Sequence, residues 1–126
     1  MNRLTAKEEE VMQFFWQKGE LFVKQIQEQY EDPKPHINTL STIVRTLEVK
    51  GFVGYKIYGN TYQYYPLISE TEYRNKRLKG FINKYFGNSY KRVISELIEE
   101  EVLSVDELKE IIREIEGNEN QKTQQP

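Results

Sequence analysis

The feature that most narrows what this chain can become is a change of period at Gly51. Before it, Ile37, Leu40, Ile43 or Val44, and Leu47 recur at helical spacing, which predicts an amphipathic helix over about 37–50. After it come Phe52, Val53, Tyr55 and Ile57, then Gly59-Asn60, then Tyr62, Tyr64 and Tyr65 before Pro66. Aromatic and branched residues in two short runs about a Gly-Asn pair predict a β-hairpin. Upstream, Thr5 and Glu8 have capping-box spacing, and Val11, Met12, Phe15 and Trp16 share one face of a first helix that stops at Lys18-Gly19. A shorter helix with Val23, Ile26 and Tyr30 ends before Asp32-Pro33-Lys34-Pro35, where two prolines forbid continuation. The order is three helices and then a hairpin, with the apolar stripes expected to meet at Trp16, Ile26, Leu40 and Leu47.

The second half is helical throughout. Ser69 with Glu72 and Ser104 with Glu107 repeat the capping-box spacing. They frame a basic helix over about 70–85, a helix over about 89–100 with Tyr90, Val93, Ile94 and Leu97, and a last one with Leu108, Ile111, Ile112 and Ile115. Gly117 is expected to close it. Three short helices in about 50 residues bury too little surface to stand alone. Their apolar residues are therefore expected to pack against a second copy of the chain. The expected organisation is a head at 1–68, a helical dimerisation domain at 69–117 and a disordered tail at 118–126.

Composition removes several classes of function. The chain has no cysteine, which excludes disulfide scaffolds, thiolate metal sites and cysteine nucleophiles. No signal-like or membrane-length apolar run occurs, so a soluble cytoplasmic protein is expected. The net charge of -2 argues against nucleic acid only while the chain is taken as one body. Residues 1–68 balance eight bases with eight acids, residues 69–92 set seven bases against two acids, and residues 93–126 set three against ten. A neutral head, a basic helix and an acidic end are three different surfaces.

The polar face of the third helix carries Asn38, Thr39, Ser41, Thr42, Arg45 and Thr46. An ordinary solvated face carries Glu and Lys, which are better helix formers. Short hydroxyl and amide side chains suit close approach to base edges and phosphates, and Arg45 can make a bidentate contact to guanine. A helix preceded by a tight turn and another helix is the helix-turn-helix plan. The hairpin is then a wing bearing Lys56, Tyr58 and Asn60. The fold class expected is mostly α with a small β-hairpin wing, a winged helix-turn-helix followed by a helical dimerisation region. Two functions stay open on this pattern: a double-stranded DNA-binding regulator, and a winged-helix protein-interaction module without sequence-specific DNA binding.

The run from Thr39 through Arg45 to Val53 resembles the recognition helix of the BlaI/MecI/CopY family of bacterial penicillinase repressors. Leu4-Thr5 through Phe15-Trp16 is similar to that family's first helix, Tyr62-Gln63-Tyr64-Tyr65-Pro66-Leu67 to its second wing strand, and Leu103 to Leu108 to its last dimerisation helix. The resemblance spans about residues 4–115 in one register. It implies a homodimeric repressor that binds a palindromic operator, with Thr39, Thr42 and Arg45 at the DNA and Asn38 and Ser41 beside them. It also implies a membrane-bound sensor metalloprotease as a partner that relieves repression by cleaving the dimerisation helices. Glu96-Leu97 stands where the cleaved members have Asn-Phe, which is a departure. The copper-responsive branch binds metal through C-terminal cysteines, a route closed to this chain.

The remaining candidates have plainer readings. His36, the single histidine, has no second histidine or cysteine to share a metal with, and capping of the third helix or a phosphate contact is expected of it. Glu99-Glu100-Glu101 are consecutive and so do not share a helix face. Lys76, Arg77, Lys79 and Lys84 could meet phosphates or the partner chain's acidic segment, and the second is favoured. No phosphate loop, zinc-protease motif or Ser-His-Asp set occurs. Neither an enzyme nor a small-molecule cofactor is expected.

Overall fold

The computed structural model describes residues 3–124, with side chains as far as Asn118. Helices α1 (Ala6–Lys18), α2 (Val23–Glu28) and α3 (Ile37–Val49) are followed by strands β2 (Val53–Tyr58) and β3 (Thr61–Pro66). A two-residue strand, β1 (Leu21–Phe22), precedes α2. The Thr5–Glu8 capping box closes from both ends, the Thr5 N–H donating to Glu8 Oε1 at 2.8 Å and the Glu8 N–H to Thr5 Oγ1 at 3.2 Å. The change of period at Gly51 has a backbone cause. Gly51 adopts φ 85°, its N–H donates to Glu48 O at 3.0 Å, and the Phe52 N–H reaches back to Leu47 O at 2.9 Å. This is a Schellman end, which satisfies the orphan carbonyls and turns the chain into β2.

The hairpin turn places Gly59 at φ 58° in its first central position, which a β-carbon would disfavour. Register pairs Tyr55 with Tyr64, Lys56 with Gln63, Ile57 with Tyr62 and Tyr58 with Thr61. Strand β1 adds to the far side of β3, so the sheet has three antiparallel strands in the order β1-β3-β2 rather than two. Two residues are too few for an alternation to show in sequence, which is why β1 was not foreseen.

The core of this first unit joins all of these elements. Val11, Met12 and Phe15 of α1, Ile26 of α2, Leu40, Val44 and Leu47 of α3, and Phe52 and Val53 are almost wholly buried. Trp16, expected at the centre, is half-buried at the edge, and its indole N–H donates to Ile68 O at 2.8 Å. The compact unit extends to Asn75, beyond the expected boundary at 68. The reason is Tyr73 in the first turn of α4 (Glu70–Phe86), whose buried ring meets Phe52 edge-on at 5.7 Å and Trp16 at 5.5 Å.

The second unit begins at Lys76 and holds the rest of α4, then α5 (Tyr90–Glu99) and α6 (Val105–Gln124). Ser89 caps α5 through the Arg92 N–H at 3.2 Å, and Ser104 and Glu107 form a reciprocal box at the start of α6. Gly117 does not close α6, which runs on to Gln124. A glycine within a helix costs only about 1 kcal/mol relative to alanine, too little to stop one by itself. Of the tail expected at 118–126, Gln125 and Pro126 lie outside the described residues. Among the described side chains of this unit only Ile82 is buried. No helix among the described residues is long and apolar enough to cross a membrane.

One polar contact ties the end of α3 to the start of α1. Lys50 Nζ donates to Glu8 Oε1 at 2.7 Å and to Arg3 O at 3.1 Å. Glu8 is the one buried charged residue of the described chain. Burial alone would push its carboxyl up, but the Lys50 ammonium and the Thr5 N–H outweigh that and hold it below the ordinary carboxylate range. A group depressed on folding stabilises the native state above its unfolded pKa, and the stabilisation is lost as pH falls through the folded one. The head should therefore lose thermal stability on acidification below about pH 4.3. Glu8→Gln should be less stable at neutral pH and flatter across that acid window. Parallel acid profiles for the two proteins would show that Glu8 does not carry the dependence.

Candidate nucleic-acid interface

The rotation of α3 follows from its buried residues. With Leu40, Val44 and Leu47 turned into the core, the opposite face presents Asn38, Thr42, Arg45 and Val49 to solvent. Thr39 is exposed on one flank, while Ser41 on the other flank is half-buried, as is Thr46. The structure thus gathers the helical candidates, Asn38, Thr39, Ser41, Thr42 and Arg45, around one exposed surface. Val49, 87% exposed, extends the stripe by a turn and was not among the expected residues. Its 38-42-45-49 spacing was the available signal.

Two of the hydroxyls on this side of the helix are already engaged. Thr42 Oγ1 donates to Asn38 O and Thr46 Oγ1 to Thr42 O, both at 3.0 Å. Back-bonding of this kind satisfies the two hydroxyl protons within the helix itself. It also leaves these side chains with methyl groups and oxygen lone pairs to offer outward. At the N-terminus, His36 Nδ1 accepts the Asn38 N–H at 3.0 Å, the capping role expected of it. The imidazole accepts there only when Nδ1 carries no proton.

The wing residues divide by strand parity. Tyr55, Ile57, Tyr62 and Tyr64 lie on one side of the hairpin and Lys56, Tyr58, Gln63 and Tyr65 on the other. Tyr62 and Tyr64 of the first side line an open groove of about 460 Å³ together with Asn60 of the turn and Thr61 at the start of β3. Its other walls are Val23, Lys24 and Gln27 of α2 and Ile37, Ser41 and Arg45 of α3. Arg45 therefore belongs both to the outward stripe and to the groove. Lys56 and Tyr58 do not join them. Lys56 Nζ is 2.7 Å from Glu20 Oε1, the carboxylate holding the ammonium above its ordinary range, and it lies 5.7 Å above the Tyr65 ring. Tyr58 packs edge-on against Phe22 at 5.9 Å. Sequence reasoning took Lys56, Tyr58 and Asn60 as a single surface because they are two residues apart, but β2 ends at Tyr58 and the turn at Gly59-Asn60 breaks the alternation, so Asn60 does not follow the other two.

Of the residues expected at a dimer interface, Tyr90, Ile94, Leu97, Ile111, Ile112 and Ile115 are exposed and Val93 and Leu108 half-buried. Glu96-Leu97 lies within α5. Among the described residues no cluster of His, Asp and Glu is arranged to hold a metal.

Three helices, a hairpin wing within a three-stranded sheet and a helical C-terminal region define a winged helix-turn-helix protein. The chain matches the family model described as penicillinase repressor over residues 4–117. It is 31% identical over 109 residues to the methicillin resistance regulatory protein MecI of Staphylococcus aureus (strain N315), covering 86% of this chain and 89% of the relative. The MecI protein of Mammaliicoccus sciuri is 32% identical over 113 residues with the same shares covered. The penicillinase repressor of Bacillus licheniformis is 23% identical over 121 residues, covering 95% of this chain and 94% of the relative. The chain belongs to the penicillinase repressor family, a family of transcriptional regulators.

The His36 cap carries a direct expectation. His36→Ala should lower the stability of the head by about 1 kcal/mol in urea unfolding, and His36→Asn, which restores a capping acceptor, should recover most of it. Equal loss in both variants would show that the imidazole acts by packing instead.

Proposed function

We propose that this chain is a homodimeric repressor that reads a palindromic DNA operator with α3. The observation that carries the reading is the outward stripe of Asn38, Thr42 and Arg45, with Thr39 and Ser41 on its flanks, on a helix whose opposite face is locked in the core. Arg45, exposed and without an ion-pair partner among the described residues, is the base-edge or phosphate contact. Thr42, its hydroxyl proton committed to Asn38 O, offers a methyl group that suits the C5-methyl of thymine. Asn60 at the wing turn lies on the same groove as Arg45 and joins the contact set. Lys56 and Tyr58 would reach DNA only by leaving Glu20 and Phe22.

Dimerisation is supported by the second unit's burying a single side chain, Ile82, among those described. Tyr90, Ile94 and Leu97 on α5 and Ile111, Ile112 and Ile115 on α6 are each more than a third exposed. An equivalent face on a second chain is the occupant the reading assigns, in a two-fold arrangement that sets the half-site spacing. A head with balanced charge holds non-specific DNA weakly, so useful affinity comes from two linked heads. Cleavage in the dimerisation region by a membrane-bound sensor metalloprotease would end that linkage, and this is the route of derepression we attach to the reading.

Arg45→Ala should weaken binding to the DNA upstream of the chain's own gene by at least roughly tenfold, the range of a lost bidentate base contact. Its sedimentation should stay that of the dimer. Unchanged affinity in a mobility-shift assay would remove α3 from the interface and favour the rival reading of a protein-interaction module.

A chain ending at Asn75 retains Tyr73 and so the whole first unit. It should be monomeric and bind the same DNA on the order of a hundredfold more weakly, the loss expected when two sites are no longer linked. Equal affinity for the two lengths would refute the dimer.

A further inference from the structure

We propose that Lys56 and Tyr58 are positioning residues, held by Glu20 and Phe22 so that the turn at Gly59-Asn60 stands fixed before any DNA arrives. The proposal rests on the operator-binding reading and deepens it, because it assigns the wing's lysine to the fold instead of to phosphate. Its ground is where the two contacts lie on the sheet. Strands β1 and β2 both pair with β3 and not with each other, and Gln63 stands between Phe22 on one side and Lys56 on the other. Phe22, Gln63 and Lys56 therefore form one cross-strand row and share a face, with Tyr58 one row nearer the turn. On that face Lys56 Nζ reaches Glu20 Oε1 at 2.7 Å, and the rings of Tyr58 and Phe22 meet edge-on at 5.9 Å. Both contacts leave the hairpin and end on the segment that links α1 to α2.

The wing needs such a brace because β1 supports only its base. Strand β1 is two residues long and pairs with Gln63 and Tyr64. Beyond them Ile57, Tyr58, Thr61 and Tyr62 form a bare two-stranded ladder, a unit of marginal stability in water by itself. Asn60 at its end is placed by how that outer ladder twists, and Lys56 and Tyr58 hold it from the face opposite Tyr62. The packing beside them is close. Gly54 pairs with Tyr65, a β-carbon on Gly54 would stand 2.8 Å from that ring, and the Lys56 ammonium lies 5.7 Å above it. A lysine meant for phosphate is poorly served by a carboxylate at 2.7 Å, which cancels its charge. An exposed ion pair adds little to global stability. It can settle the wing during folding, so that binding does not carry the cost of ordering it.

Exchange of the two charges separates a brace from a phosphate contact. In the full-length protein, Lys56→Glu should weaken binding to the upstream DNA. Adding Glu20→Lys restores the pair with its charges swapped, and affinity should return to within about twofold of the parent. A double variant as weak as Lys56→Glu alone would overturn the brace, since a glutamate facing phosphate repels it whatever stands at position 20. A second readout needs no DNA. The amide order parameters of Gly59 and Asn60 in the free protein should fall in Lys56→Glu and in Tyr58→Ala, and recover in the charge-swapped double. Both side chains are exposed, and thermal melting checks that the variants remain folded. Order parameters unmoved in both single variants, while Arg45→Ala still loses upstream DNA, would overturn the brace and leave the operator reading standing. A full-length protein that holds no upstream DNA would overturn the operator reading and the brace's part in it.

Discussion

The stripe Leu40, Val44 and Leu47 fixes the rotation of α3 about its own axis, and what the head presents to a partner follows from that rotation. Once those three side chains are enclosed by Val11, Met12, Phe15, Ile26 and Phe52, no freedom remains to choose which residues face outward. Asn38, Thr42, Arg45 and Val49 are outward because they are not the buried stripe. Two end contacts then hold the helix along its length. His36 accepts the Asn38 N–H at its start, and Lys50 at its end reaches Glu8 and Arg3 across from α1. Removing one partner of such a pair leaves the other short of its bond in a largely buried place. Glu8 therefore matters to the reading helix without being near the surface that helix offers.

The two halves of the molecule solve the problem of burial differently. The first closes a core around its own helices and wing, and Tyr73 carries that core into the first turn of α4. The second buries one side chain, Ile82, among those described, although its α5 and α6 are amphipathic. Short helices with one apolar face have little stability until that face is covered. In the proposed function the cover is a second chain, which makes the folding of this half and the pairing of the heads the same event. A regulator built so can be switched off by damage to the helical half while the reading heads stay intact.

Much of the fold was legible because periodicity reports which face is buried. The helical stripe ending at Gly51 and the β-prone runs about Gly59-Asn60 correspond to α3, β2 and β3. What was not legible depends on partners distant in sequence. Strand β1 exists because Leu21 and Phe22 meet Tyr64 and Gln63, a pairing no local pattern records. The boundary moved from 68 to 75 because of one tyrosine, Tyr73, whose partners Trp16 and Phe52 lie far upstream. The α3 candidates share one surface since helical spacing defines their face. The wing candidates do not share one surface. Asn60 lines the groove, but Lys56 is committed to Glu20 and Tyr58 to Phe22.

A balanced charge over the first 68 residues invites the conclusion that the head has little to say to a polyanion, but that sum hides how unevenly its acids are placed. Glu8 is buried against Lys50, and Glu20 is spent on Lys56, so two carboxylates and two ammonium groups cancel in pairs away from the groove. Lys24 and Arg45 are left on a surface free of carboxylates. Coulomb interactions with a phosphate fall off over a Debye length of roughly 8 Å at physiological salt, so it is the local charge and not the sum that a strand meets. Neutrality of the whole still has a consequence, because weak long-range attraction limits how tightly one head holds arbitrary DNA. In the proposed function, such a head would discriminate through contact rather than through field, and a second head would convert discrimination into occupancy.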